Sequence, residues 1–444
     1  MGSCYDVPEW EDDVFARLIS RMNPPSVVID NEACDETTVI RVDSFKKPGI
    51  LLQVIQALID LNLMITKAYV SSDGCWFMDV FNVTDRDGNK VWDKEIHALI
   101  ETSVETDAWG SVGVMPSKEH TSIELIGTDR PGLLSEVCAV LTDLKCNVVK
   151  AEVWSHNTRV AAVVHVTDES TGLAIEDLDR LSTIRELLCN VLKVNSDSRT
   201  AKMTVSMGVT HAERRLHQMM FDDRDYERAD KVEEGDETSR PQVAVLDCAE
   251  KDYSVVILRS KDRPKLLFDT ICTLTDMNYI VFHGTVNTGN SDAYQEYYIR
   301  HVGGLPISSE GERQRVIQCL KAAIERRASE GLELELRTED RVGLLSDITR
   351  VFRENGLCIK RAEITTDDGK AVDTFYVSDM SGNNVEAKTI NNIRKQLSQT
   401  ILRVKKNPLQ PAKPPEEASS TGFLFGNFFK GCSFHSFRLI RSYS

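Results

Sequence analysis

The sequence predicts an α+β fold built from four copies of one strand–helix–strand–strand–helix–strand unit, arranged as two pairs. Three observations carry this. A turn resembling Asp-Arg-Pro-Gly, followed by an apolar helix-like segment, recurs four times in register: SFKKPGILLQVIQALIDL (44–61), GTDRPGLLSEVCAVLTDL (127–144), SKDRPKLLFDTICTLTDM (260–277) and TEDRVGLLSDITRVFREN (338–355). Each copy is flanked by β-like runs in the same order. The spacing is uneven: 83 residues separate Pro48 from Pro131, 133 separate Pro131 from Pro264, and 78 separate Pro264 from Val342. The wide middle gap divides the chain into two halves of two units each.

The elements follow in chain order. A first strand precedes every turn: TVIRVD, TSIELI, YSVVILR and GLELELR. The first helix is read from apolar residues at helical spacing, such as Leu134, Val137, Cys138 and Leu141. Asn62, Asn278 and Gly356 fall where that helix ends, and both residue types tolerate the left-handed cap conformation. Second strands follow (LMITKAYV, CNVVKAEV, YIVFHGTV, LCIKRAEI), then third strands (CWFMDVFNV, RVAAVVHV, AYQEYYIRHV, AVDTFYV), of which the last alternates like a half-buried strand. A second helical pattern completes each unit. This order is the split βαβ of ferredoxin-like type, with both helices on one face of a short sheet. Each half opens on a Pro-led strand 19 residues before its motif, PSVVID from Pro25 and PQVAVLD from Pro241. The third unit lacks room for its own last strand, so PQVAVLD is expected to fill that edge. Pairing within each half would bury the uncovered sheet faces or edges.

The resulting boundaries are a lead-in helix and strand (1–37), units at 38–116 and 121–208, an acidic linker with a helix (209–240), units at 241–330 and 331–407, and a Pro-rich hinge with an aromatic, basic tail (408–444). The linker helix AERRLHQMMFDDRDYE (212–227) is expected to be solvated. From Asp222 to Glu237 there are nine acids and three bases, which reads as an exposed linker.

Composition is that of a globular chain, 444 residues with 41% apolar and 27% charged. A net charge of −16 argues against nucleic-acid binding. No apolar run is long enough to span a bilayer, and a membrane role is not expected. The start MGSC offers Gly2 and Cys4 for acylation, but Asp6 stands where the myristoylation pattern wants Ser or Thr. Eleven scattered cysteines without CxxC spacing suggest reduced thiols in the cytoplasm, with the nucleus also open. His211, His217, Asp222 and Asp223 do not form a metal-ligand set. No nucleophile–base pair, metal site or phosphate loop stands out, so neither catalysis nor a cofactor is expected. Trp76, Phe77 and Phe81 are read as core and pairing surface rather than an RNA-stacking face.

Residues 38 to 406 resemble four ACT domains in tandem, on the DRPGLL turn at Asp129 to Leu134 and its partial copies. With the linker helix and the ending RLIRSYS, the chain is similar to the plant ACT-domain repeat proteins. The resemblance implies a non-catalytic regulator that binds a small ligand, an amino acid. Similar domains end the bacterial uridylyltransferase that senses glutamine, which makes glutamine the first ligand to try. In this family the turn amides hold the ligand, and an Asn just after the first helix, from the same or a paired unit, adds side-chain hydrogen bonds.

By that pattern the second unit is the best candidate, with Asp129, Arg130, Pro131, Gly132, Leu133 and Asn147. The positions matching Asn147 are Met64, Ile280 and Cys358. The fourth unit offers Asp340, Gly343 and Leu344 but has Val342 in place of Pro; the first keeps Gly49 but has Lys46 for Asp. In the third, Lys265 replaces the Gly and would crowd a bound carboxylate or pair with it. The same residues also read as helix caps with no ligand, Asp129 capping and Pro131 in the first turn. An interaction scaffold is therefore the competing function. A protein partner reached through the sheet surfaces or the tail, and a homo-oligomer, stay open.

Overall fold

The computed structural model describes residues 26–45, 49–73, 76–105, 119–193, 201–207, 211–227, 240–247, 251–289, 291–328, 331–397 and 400–406. The expectations for the acylation start, Lys46, the acidic run after Glu227 and the tail lie outside them. The first unit comprises β1 (Ser26–Asp30), β2 (Thr38–Phe45), α1 (Ile50–Asp60), β3 (Met64–Asp73), β4 (Trp76–Thr84) and α2 (Lys94–Glu105). The second comprises β5 (Thr121–Thr128), α3 (Leu133–Asp143), β6 (Cys146–His156), β7 (Arg159–Asp168), α4 (Leu178–Leu192) and β8 (Lys202–Met207). The linker helix α5 (Ala212–Asp222) follows. The third unit has β9 (Gln242–Asp247), β10 (Ser254–Lys261), α6 (Leu266–Asp276), β11 (Tyr279–Gly289), β12 (Asp292–His301) and α7 (Glu310–Glu325). The fourth has β13 (Leu332–Glu339), α8 (Leu344–Glu354), β14 (Leu357–Asp367), β15 (Lys370–Asp379), α9 (Ala387–Gln396) and β16 (Ile401–Lys406).

The units pair, but across the halves rather than within them. One eight-stranded sheet runs β1-β2-β4-β3-β11-β12-β10-β9 and joins the first unit to the third; the other runs β16-β13-β15-β14-β6-β7-β5-β8 and joins the second to the fourth. The expected pairing within each half is thereby corrected. The cause lies in the edges. In units one and three the leading strands β1 and β9 pair with the first strand of the unit, the place β8 and β16 take in units two and four. Each unit's second strand then lies at the opposite edge of its four-stranded sheet, while β1, β9, β8 and β16 stay at the outer ends of the joined sheets. Like closes on like: β3 with β11 (Ala68 opposite Val286) and β6 with β14 (Val153 opposite Ala362). Such pairing satisfies backbone groups that an open edge would leave unpaired. The strand Ser26–Asp30, placed in a lead-in by the sequence, is part of the first unit's sheet.

Helix ends follow the residues. Asn62, Asn278 and Gly356 adopt φ of 60°, 61° and 71°, and Lys145 does the same at 59°. Each pair has one apolar core between its sheet and helices, with Ile55, Phe81, Phe268 and Tyr297 in one and Ile123, Val166, Phe352 and Phe375 in the other. Phe77 and Phe81 are buried, whereas Trp76 is 41% exposed.

The linker helix α5 is buried, not solvated. Its face of Leu216, Met219 and Met220 packs on Ile126, Trp154, Ala161 and Val163, the face of the second sheet away from α3. Its opposite side meets α6, where His217 lies against Phe268. The helix layer of one pair thus stacks, through α5, on the bare sheet face of the other. The acidic and basic residues that suggested solvent instead pair across this junction. Asp269, fully buried, takes His217 Nε2 at 2.8 Å, Arg327 at 2.8 Å and Arg263 at 2.6 Å. Burial alone would raise that carboxyl; Arg327, Arg263 and His217 outweigh it and hold it well below the usual range. Desolvation lowers His217, against the pull of Asp269, so it stays neutral with Nε2–H donating and Nδ1 facing Arg326.

Candidate functional site

The turns share one backbone design. Asp129 N–H donates to Thr158 O at 2.8 Å, latching the turn to the β6–β7 hairpin, and Asp262 with Ser291 and Asp340 with Gly369 repeat this latch. Gly132 occupies the residue before α3 in the left-handed region, φ 81°, as do Gly49 (84°), Gly343 (76°) and, unusually, Lys265 (64°). None of these four helix starts has a side-chain cap. The sequence assigned capping to Asp129; its carboxylate instead accepts from Ser155 Oγ. Pro131 lies before the first helical turn, which starts at Leu133. Leu133 N–H bonds back to Arg130 O at 3.2 Å, while the amides of Gly132, Leu134 and Ser135 have no hydrogen-bond partner among the described residues. Unfilled amides at a positive dipole end suit an anionic group.

Arg130 is not free to meet a ligand. Its Nη1 reaches Glu136 Oε1 at 2.7 Å and its Nη2 meets Glu136 and Val191 O. The guanidinium holds the Glu136 carboxyl below the usual range. Arg263 with Asp269 and Arg341 with Asp347 make the same brace. In these three units the arginine of the motif ties the turn to its own helix.

Below the second unit's turn lies a cavity of about 420 Å³, within the roughly 300–1,000 Å³ range of small-molecule sites. Asp129, Pro131, Gly132 and Leu133 line it from the second unit; Arg353, Leu357, Cys358 and Lys360 line it from the fourth. Burial pushes the Cys358 thiol up, Lys360 opposing and the nearby Asp129 carboxylate adding to the rise. Asn147 is elsewhere. It faces the fourth unit's turn, with Asp340, Gly343 and Leu344, around a space of only about 20 Å³. The antiparallel joining of β6 and β14 causes this exchange, because each second strand begins beside the other unit's turn. The second unit's turn and Asn147 therefore do not share a site.

One position in the third strand separates the open site from the closed one. Ala162 lies opposite Leu125 and Val153 at the cavity floor. Asp373 occupies that place in the fourth unit, Asp79 in the first and Gln295 in the third. Asp373 is 2% exposed and its Oδ1 has no partner. In the third unit Lys265 Nζ pairs with Glu213 of α5, which also meets Arg327 at 3.2 Å. The chain's own ion pair fills that turn. At Gly49, which starts α1, a Cβ would meet no atom of the described residues within 4 Å.

The sequence reading missed Ala162, Ser155, Thr158 and Arg353. Ala162 was legible as the one small residue at a position held by Asp, Gln and Asp in the other copies. Thr158 was hidden, because only coordinates show a β-branched residue at φ 62°. Arg353 enters from the fourth unit and could not be placed without the interleaved pairing.

Among the described residues no cluster fits a metal ion, and no helix is long and apolar enough to cross a membrane. Paired units of two helices on a four-stranded sheet, with a ligand-sized cavity where one unit's first turn meets its neighbour's second strand, define a tandem ACT-domain regulatory protein. A family model for the ACR family N-terminal ACT domain matches residues 33–111, and the ACT domain model matches 121–183 and 333–398. ACT domain-containing protein ACR6 of Arabidopsis thaliana is 61% identical over 433 residues, covering 95% of this chain and 99% of that one. ACT domain-containing protein ACR4 of the same plant is 60% identical over 444 residues, covering 98% of each. The chain belongs to this plant ACR family of ACT domain-containing proteins. A bifunctional uridylyltransferase/uridylyl-removing enzyme of Rhodospirillum rubrum is 24% identical over 229 residues, 50% of this chain and 22% of the enzyme.

Proposed function

We propose that the protein is a non-catalytic regulator that binds an amino acid at the junction of its second and fourth units and signals by the change in that junction. The cavity beneath Gly132, with uncapped helix amides on one side and Leu357 to Lys360 of the other unit opposite, carries this reading. A ligand there touches both units and so favours whichever arrangement of the two it fits better, the requirement for a switch. The turns of the third and fourth units act as scaffold, since the fourth is nearly closed and the third is filled by Lys265 and Glu213. Thermal-shift and calorimetric screening with the twenty amino acids tests this. Glutamine is the reference ligand, suggested by the likeness to the uridylyltransferase. A response that Gly132→Trp abolishes is expected, because even a Cβ there would lie 2.7 Å from Arg353 Cδ. No response at millimolar concentration would leave the scaffold reading.

A further inference from the structure

We infer that the cavity selects amino acids with an aliphatic side chain, and that Arg353, reaching over from the fourth unit, anchors their carboxylate. This rests on the amino-acid reading above and goes beyond it in naming the class and a residue in trans. The floor decides the class. It is formed by Leu125, Val137, Val153, Ala162, Val164 and Leu192, none of which has a polar side-chain atom. The backbone groups of β5, β6 and β7 are engaged in the sheet. A glutamine amide pushed into that floor would lose its water and meet at most the Thr349 hydroxyl, which already donates to Leu345 O, whereas an apolar group gains by the same transfer.

The polar groups gather at the mouth. Arg353 lies in the last turn of α8 and crosses to the second unit's turn, its Cδ 2.7 Å from where a Cβ on Gly132 would stand. Its guanidinium is exposed and has no hydrogen-bond or ion-pair partner among the described residues, and its charge adds a small lowering to Glu136 of the opposite unit. The matching helix positions carry Ile59, Thr142 and Thr275, so Arg353 is the one cation among the four copies. Thr142 approaches Gly343 in the closed fourth site with only a methyl, 3.3 Å from where a Cβ would be. Asp129, with Oδ2 taking the Ser155 hydroxyl and Oδ1 open, lines the same cavity and suits an ammonium group. One cation and one anion at the mouth of an apolar space match a zwitterion with an apolar side chain.

The test is calorimetry on the full chain with leucine, valine, glutamine and leucinamide, the last lacking a carboxylate, and with the Arg353→Gln variant. Arg353 is exposed, so the variant folds. Expected are leucine or valine binding at least tenfold tighter than glutamine, no binding of leucinamide, and leucine weakened roughly tenfold to a hundredfold in Arg353→Gln, as losing a hydrogen bond to a charged group implies. Glutamine binding as tightly as leucine would overturn the aliphatic class while leaving the amino-acid reading intact. Unchanged leucine affinity in Arg353→Gln, or leucinamide binding like leucine, would overturn the role of Arg353. Failure of every amino acid to bind would remove the parent reading, and this one with it.

Discussion

Replacing Asp79 or Asp373 with Asn should stabilise the protein, and only above acidic pH. Both carboxyls sit on the helix-facing side of a third strand, 1% and 2% exposed. Among the described residues no group meets hydrogen-bond geometry with either Asp79 oxygen or with Asp373 Oδ1, the Ser71 amide only approaching Asp79. Burial pushes each up to about 7; the amides of Ser71 and Thr365 oppose this only in part, and Asp43 and Asp340 add to it. In the unfolded chain both ionise near 3.8. Between those values the folded state holds more protons, so stability falls as pH rises, and the loss is complete above the folded value. A rise of some three units, at about 1.36 kcal/mol each, sets a ceiling of about 4 kcal/mol per carboxyl. Asn keeps the size of the protonated acid and cannot ionise. Urea unfolding followed by tryptophan fluorescence from pH 4.5 to 8.5 would check this. Expected are little change at pH 4.5, a gain of about 2–4 kcal/mol at pH 8 for each variant, and near-additive gains in the double variant, whose sites lie in different sheets. Either variant being less stable than the parent at pH 8 would refute the argument, since the charge would then be serving a partner.

Four further outcomes follow from the structure. Thr158→Gly should raise stability by about 1 kcal/mol in thermal unfolding, because glycine takes the φ of 62° without steric cost and Gly369 already holds the matching place. Asp269→Ala should lower it by about 3–5 kcal/mol, leaving Arg263 and Arg327 buried and short of a partner; a loss under about 1 kcal/mol in urea unfolding would contradict the network. Below pH 4 stability should fall again as Asp269 and Asp225, both held low by arginines, take up protons. Cys34, lowered by the Thr37 hydroxyl, should be alkylated first among the described thiols at pH 7.5, ahead of Cys138 and Cys319, which burial pushes up to about 12; peptide mass mapping reads this directly.

Local order was legible in the sequence because a turn, a helix period and a strand alternation each act within a few residues. The turns of the second, third and fourth units, the left-handed ends at Asn62 and Asn278 and the edge strand β9 all follow from such rules. Pairing was not, because it depends on which edge each unit leaves open. The clue was present: Pro25 and Pro241 lead matching strands, so the first and third units are of one kind and the second and fourth of another. The linker helix misled through composition. Arg214, His217 and Asp225 look like solvent-facing residues until Asp276, Asp269 and Arg326 are seen opposite them. The site was half legible. The turn residues were found, but Asn147 belongs to the other unit's turn, and the floor residue Ala162 signals by its smallness rather than by its chemistry.

The interleaving has a consequence for how such a chain can respond. Neither half contains a complete pair: β3 and β6 present their edges to β11 and β14, which lie beyond the linker. The linker is itself part of the junction. Asp225, just past α5, accepts from His156 Nδ1 at 2.8 Å and from Arg326 Nε at 2.7 Å, and its backbone carbonyl accepts from Asn157. His156 and Asn157 are also the rim of the cavity. A buried ion pair contributes little net stability against an apolar replacement but is costly to break by halves, so it holds one register strictly. The hairpin that a ligand would touch is thus gripped by the residues that fix the stacking of one pair on the other. Any displacement of His156 and Asn157 must either carry the Asp225 segment along or break its bonds. A change at the second unit's turn therefore has a physical route to the α5 junction, through packed and charged groups rather than through a flexible tether.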